Sequence, residues 1–307
     1  MVHTSAAARA GRRPVTRYRV RHSTEYRYSG QVVNGHTIAH LRPRTTPFQQ
    51  VHAAEVTTTP AADHADEYDD SFGNCVSYRA IEQAHDRLTV VALSEVDAHE
   101  HDVVTSSPPW EDVARLIAED DSADGLLARM CSMQSALVGP SADLARFASW
   151  SFLPGRPVHE AVGDLCHRIF SEFAFDPGFS DISTPPADVL IHRRGVCQDF
   201  AHLSIGCFRS LGLPARYVSG YVENEPLPGE VKMVGGDASH AWCSVYVPGF
   251  GWLDADPTND QVPPRSHVTV AWGRDYADVA PVRGVLFGSP ASQELSVAVE
   301  VTRLEDH

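Results

Sequence analysis

From Arg17 onward, polar and apolar side chains alternate with a period of two. "RYRVRHSTEYRYSG" sets the pattern, and it returns in "VHAAEVTTTP", "NCVSYRAI" and "RLTVVALSEVDAHE". Successive side chains on an extended strand point to opposite faces, so these runs predict short strands, each half-buried. Gly, Pro and Asn signals such as "HLRPRTTPFQQ" punctuate them, which predicts an antiparallel β-sandwich-like or barrel-like domain over residues 16–103. Residues 60–73 form an acidic turn region, and residues 1–15, small, basic and patternless, predict a disordered tail.

"VVTSSPPW" at 103–110 interrupts the alternation with Ser and Pro and marks a boundary. Helical spacing follows: Val113, Leu116 and Ile117 make one short apolar face, and Leu126, Leu127, Met130, Met133 and Leu137 another, giving a linker and helical segment over 104–156. In "PGRPVHEAVGDLCHRIFSEFAF", Pro157 suits a first turn and Val158, Ala161, Val162, Leu165 and Ile169 recur on one face. "DPGFSDISTPP" ends that helix. Another is predicted to start near Cys197, with Phe200, Leu203, Cys207 and Leu211 on one side and "GLP" at 212–214 as its stop. "ARYVSGYV", "HAWCSVYV" and "GWLDAD" alternate as strands, the last two joined by "PGFG" as a hairpin, and "QELSVAVEV" supplies a final strand. The fold class is therefore α+β, with a second unit over 157–307.

Composition narrows this picture. The 307 residues, 43% of them hydrophobic, can bury a substantial core and allow about two domains. No run of about 18 apolar residues occurs, and the Arg-rich start lacks the apolar middle of a secretory signal, so the expectation is a soluble, cytoplasmic protein without a membrane partner. A formal charge of -15 argues against a nucleic-acid partner, which needs a basic surface. The six cysteines form no CxxC pair or dense framework, so reduced thiols are expected.

In "RRGVCQDFAHLSIG", a glycine-bearing turn delivers Cys197 to a helix start. Thiolates are promoted by a helix N-terminus and by a neighbouring imidazole. Among sixteen histidines, His240 opens the strand "HAWCSVYV" and shares its face with Trp242, Ser244 and Tyr246, while Trp252, Asp254 and Asp256 share a face on the returning strand. A connection of three or five residues makes His240 and Asp256 diagonal same-face neighbours at roughly 7 to 8 Å, whereas a four-residue connection sends them to opposite faces. Asp254 competes with Asp256 for the role. Asp199 reads as a first-turn helix cap, and His202 as a helix-packing or surface residue. Cys131, Cys166, Cys207 and Cys243 read as structural, Cys243 facing away from His240 by strand parity. "HEHD" at 99–102 and "DEYDD" at 66–70 lack ligand spacing and read as solvated charge, so no metal and no cofactor are expected.

"RRGVCQDFAHLSIGCFRSLGLPARYVSGYV" followed by "DASHAWCSVYVPGFGWLDADPTND" resembles the core of the transglutaminase-like superfamily in order and spacing. "YRVRHSTEYRYSG" and "GRDYADVAPVRGV" resemble the β-rich N-terminal region and C-terminal segment of its bacterial members, so the resemblance spans about Tyr18 to Val301. It implies a papain-like core of helices packed on an antiparallel sheet, with Cys197 as nucleophile, His240 as base and Asp256 as the orienting acid. The implied activity is a thiol-dependent acyl enzyme, a cysteine peptidase or amidase acting on a peptide, protein or small amide through a thioester. An amide-forming acyltransferase and a catalytically idle binding scaffold are the rivals. The backbone N–H of Cys197 is the natural first oxyanion donor. Animal members use a Trp upstream of the cysteine, and Ala161 to Val196 contains none, which leaves Gln198 or a backbone N–H as the second. Trp242 and Phe175 are candidates for the substrate channel, although simple packing is the commoner role of a strand Trp beside a core. The stretch "ENEPLPGEVKMVGG" at 223–236 reads equally as a mobile cover for the cleft or as a plain surface connection.

Overall fold

The computed structural model describes residues 15–101, 103–223, 239–264 and 266–304. The tail expected over 1–15 and the stretch at 223–236 lie outside the described residues except for Val15 and Glu223.

Five N-terminal strands come first: β1 (Val15–Ala39), β2 (Gln49–Thr59), β3 (His64–Asp69), β4 (Cys75–Ile81) and β5 (His85–His99). β3 corrects the acidic turn expected over 60–73: exposed along its whole length and without alternation, it is held as a strand by antiparallel pairing with β4. Six helices interleaved with two short strands come next: α1 (Trp110–Ala118), α2 (Ala123–Cys131), α3 (Ala142–Ala148), α4 (Val158–Glu172), β6 (Ala174–Phe175), α5 (Pro186–His192), β7 (Arg194–Gly195) and α6 (Cys197–Ser210). The chain ends with β8 (Ala215–Val222), β9 (Ser239–Val247), β10 (Gly251–Ala255), β11 (His267–Gly273), β12 (Val282–Gly288) and β13 (Gln293–Leu304). Helices α3 and α5 have seven residues each, about two turns, too short to show an apolar repeat in sequence.

The long strand β1 is the spine of a seven-stranded antiparallel sheet. Along one edge it pairs with β5 and then β4, and along the other with β13 and then β12. This corrects the grouping of the C-terminal strand with the second unit. β13 runs beside β1 from Leu304 opposite Arg17 to Gln293 opposite Tyr28, and it does so because Val299 and Val301 bury against the same core as Tyr18 and Val20. The second sheet has the order β10-β9-β8-β11, all antiparallel. Helix α6 packs on β8 and β9, and it is buried almost all round rather than on one face.

β11 is an edge strand, and an edge offers unpaired N–H and C=O groups. Two buried side-chain amides from the N-terminal region fill them. Gln49 accepts from Thr269 N and donates to Thr269 O, both at 2.8 Å. Asn74 accepts from Trp272 N and donates to Trp272 O, both at 2.9 Å. The two sheets are thus joined by hydrogen bonds as well as by one continuous apolar core.

Candidate active site

Cys197 is the first residue of α6, preceded by Val196 in extended conformation (φ -116, ψ -179). Asp199 holds this entry. Its Oδ2 accepts from Val196 N at 2.7 Å and from the Ser180 hydroxyl, the capping role read from the sequence. Burial pushes the Asp199 carboxyl upward, against the lowering effect of these two hydrogen bonds. Gly195 is needed beneath it, since a Cβ there would lie 2.8 Å from both Cβ and Oδ2 of Asp199.

On the facing sheet, Val247 pairs with Gly251 and Tyr246 with Trp252, so the connection contains three residues, 248–250. That register places His240 and Asp256 on one face, and His240 Nε2 hydrogen-bonds Asp256 Oδ2 at 2.8 Å. Asp254 is occupied elsewhere, accepting from Trp242 Nε1 at 3.1 Å and from the Ser244 hydroxyl. The second imidazole nitrogen, Nδ1, is left for the Cys197 side chain, which hydrogen-bonds the ring. Three residues that the sequence put in order along the chain thus meet in space.

Asp256 is fully buried and accepts more than His240. His267 Nε2 reaches the same Oδ2 at 2.9 Å, Asn259 Nδ2 at 2.6 Å, and Thr258 N donates to Oδ1 at 2.9 Å. Burial alone would raise this carboxyl, but the hydrogen bonds and charges of the two imidazoles hold it far below the usual carboxylate range. Burial likewise opposes charge on His240, yet the hydrogen bonds to Asp256 and Cys197 and their charges raise it well above the ordinary imidazole value. The result is a buried cation-anion pair aimed at a thiol. The donor atoms of His240, Asp256 and His267 lie within 4.8 Å of one another, close enough to hold a metal ion. Their N–O separations of 2.8 and 2.9 Å are those of direct hydrogen bonds; two ligands on one zinc ion at about 2 Å each stand roughly 3.3 Å apart in tetrahedral geometry.

His267 and Asn259 escaped the sequence reading. Asn259 was visible in "PTND", but no strand was assigned to "HVTVAWG", which carries His267. Gly220 on β8 lets the two imidazoles converge. It sits opposite His240 on one side and Thr269 on the other, and a Cβ there would lie 2.6 Å from the Trp242 ring. Trp242 fills that space, stacking with His240 at 6.1 Å and meeting His267 edge-on at 5.0 Å between centroids.

Trp242 is therefore a floor beneath the imidazoles, wholly buried, and not a wall of the substrate channel. It shares a face with His240 but sits one step deeper along the strand. Phe175 does not reach the cleft either, because β6 lies on the surface beside β7 and leaves the ring exposed. The Gln198 side chain does border the cleft, with its amide donating to Ile182 O at 3.3 Å. His202 is a packing residue: it is buried, accepts from Tyr276 N at 3.2 Å, and is pushed down to about 4 by burial. A cleft of about 260 Å3 opens over Cys197 and His240, with Tyr217 of β8 beside them. Tyr217 is 3% exposed, and burial, followed by the nearby Cys197 charge, raises its phenol well above the usual value.

The family profile of the bacterial transglutaminase-like N-terminal region matches residues 18–97, and that of the transglutaminase-like superfamily core matches residues 154–257. An uncharacterised protein of Mycobacterium tuberculosis is 39% identical over 298 residues, covering 94% of this chain and 93% of that one. The chain belongs to the transglutaminase-like superfamily. A crystal structure from Cytophaga hutchinsonii, named as a candidate cysteine protease, superposes with a TM-score of 0.72 over 96% of this chain and 92% of that one at 21% identity, which supports the shared fold. A protein-glutamine gamma-glutamyltransferase of Pseudomonas aeruginosa is 33% identical over 119 residues, 36% of this chain and 18% of that one. Among the described residues of this superfamily member, no helix is long and apolar enough to cross a membrane.

Proposed function

We propose that the protein is a thiol-dependent amide hydrolase, a cysteine peptidase or amidase acting through a Cys197 thioester. The observation that carries this reading is the His240–Asp256 pair, buried, charged and directed at a thiol on the first turn of a helix. Cys197 Sγ, its proton held on His240 Nδ1, attacks the carbonyl carbon of an amide. The resulting oxyanion is met by the N–H of Cys197 and by the hydroxyl of Tyr217, the buried phenol that borders the cleft. The tetrahedral species collapses as Nδ1 gives its proton to the leaving nitrogen, and the amine departs. Neutral His240 then takes a proton from water, the water oxygen attacks the thioester carbon, and Sγ leaves as the acid product forms. Throughout, Nε2–H stays on Asp256, which fixes the tautomer.

Transamidation uses the same thioester with a primary amine in place of water, and the Pseudomonas relative's name favours keeping it as the second reading. A free thiol nucleophile and five further unpaired cysteines fit a reducing, cytoplasmic setting. The test is release of amine from a library of peptide and small amides, with and without added primary amine. Acid product that is insensitive to the amine identifies a hydrolase, and an amide adduct identifies an acyltransferase. Turnover that persists in Cys197→Ala would overturn both.

A further inference from the structure

The cleft has two unlike walls. One carries Cys197 and His240. The other is built by the N-terminal sheet and the strand that returns to it: His22, Thr24 and Tyr26 alternate along one face of β1, and across the ladder Thr24 pairs with Val297 and Tyr26 with Leu295. Leu295 is 58% exposed and Val297 47% exposed. Large apolar side chains left bare along the rim of a reactive centre mark a place that something apolar covers. Among the described residues, the lining includes no Asp, Glu, Lys or Arg. His22 adds no charge: its ring nitrogens are engaged by the Tyr221 hydroxyl at 3.1 Å and the Thr24 hydroxyl at 2.9 Å, and burial keeps it neutral.

We propose that this second wall is the substrate-selecting subsite, and that it takes an uncharged, apolar group next to the reacting carbonyl. The proposal rests on the acyl-enzyme reading and extends it to a substrate class: amides flanked by an aliphatic or aromatic side chain. A carboxylate or ammonium group entering here gives up its hydration without gaining a partner, while each methylene buried against the wall is favoured by leaving water. The whole cleft, about 260 Å3 with the space over Cys197 and His240 included, falls just below the usual range for small-molecule sites of roughly 300–1,000 Å3, so the part along this wall suits one side chain rather than a folded surface. It also gives the N-terminal region a task at the active site.

Two thiol reagents of equal length test it, N-hexylchloroacetamide and N-(5-carboxypentyl)chloroacetamide, each alkylating Cys197 with loss of chloride. Every rate is divided by that of iodoacetamide on the same protein, and the modified thiol is assigned by mass spectrometry. The expected result is a hexyl rate more than about tenfold above the carboxyl rate, a difference of roughly 1.4 kcal/mol. In Leu295→Lys and Val297→Lys, each at an exposed position that tolerates a polar residue, the ratio should fall as the carboxyl reagent gains. Equal rates in the parent protein, or a ratio unmoved in both variants, overturns the subsite. A hexyl preference that persists while iodoacetamide reacts no faster than in His240→Ala leaves the subsite standing and defeats the acyl-enzyme reading.

Discussion

The sharpest perturbation of the site is Asp256→Asn. The carboxylate accepts at every contact: His240, His267 and Asn259 donate to Oδ2, and Thr258 N to Oδ1. An amide of the same shape must turn its NH2 toward one of these donors, and the less costly choice, facing Thr258 N–H, still strands a buried donor at about 1–3 kcal/mol. The larger effect is electrical. His240 holds its proton because Asp256 and Cys197 outweigh the burial of its ring. Without the negative charge of Asp256, burial acts with less opposition, and the loss of a charged hydrogen bond worth about 1.5–3 kcal/mol lowers the imidazole by about one to two pH units. The assay is the iodoacetamide rate at Cys197 from pH 4 to 10. The acid limb of the profile should move to higher pH, and the rate at pH 6 should drop about 10- to 100-fold, with the rate at pH 9 less affected. A limb that stays within 0.3 unit of the parent, roughly 0.4 kcal/mol, would refute the claim that Asp256 keeps His240 charged.

Three further outcomes are expected. Tyr217→Phe should lower kcat about 10- to 100-fold with KM nearly unchanged and alkylation of Cys197 intact, as loss of an oxyanion donor requires; a change confined to KM would assign the phenol to binding instead. Gln49→Ala should cost about 1–3 kcal/mol of unfolding free energy, because it strands the buried N–H of Thr269 at the sheet edge while Thr269 O keeps Arg44 N as a donor, and a denaturant midpoint shift worth less than 0.5 kcal/mol would contradict it. His22 and His202 are each held down to about 4 by burial. They are neutral when folded and protonate when unfolded, so their contribution is whole above pH 6.5 and is lost as pH falls toward 4, at about 1.4 kcal/mol per unit for each. Replacing His202 with Gln, which keeps an acceptor for Tyr276 N, should flatten that decline in thermal melts between pH 6.5 and 4.5; an unchanged slope would mean His202 does not titrate this way.

How far the site could be read from sequence depended on the range of each contact. Cys197 was legible because a glycine turn and a helical repeat are local signals, and β8, β9 and β10 because alternation is local too. The partnership of His240 with Asp256 hung on a turn length that alternation cannot count, and only the pairing of Val247 with Gly251 settles it. Trp242 admits both a channel and a packing role in sequence for a related reason. Parity fixes which face a side chain takes, but not whether that face is open at its depth, and here Gly220 and His267 close over the ring. His267 was invisible as a partner because it stands on β11, beyond β9 and β8 from β10 in the sheet order.

The placement of β13 was the deepest omission, and it changes what the N-terminal region is for. A strand at the end of the chain, alternating like any other, carries no sign of which sheet it joins. By pairing with β1 it sets Leu295 and Val297 beside Tyr26 and Thr24, and it ties both ends of the chain to the wall facing Cys197. The same N-terminal region supplies Gln49 and Asn74 to the free edge of β11, the strand whose His267 holds Asp256. The sheet that forms the second wall of the cleft is therefore hydrogen-bonded to the strand whose His267 shares the Asp256 carboxylate with His240.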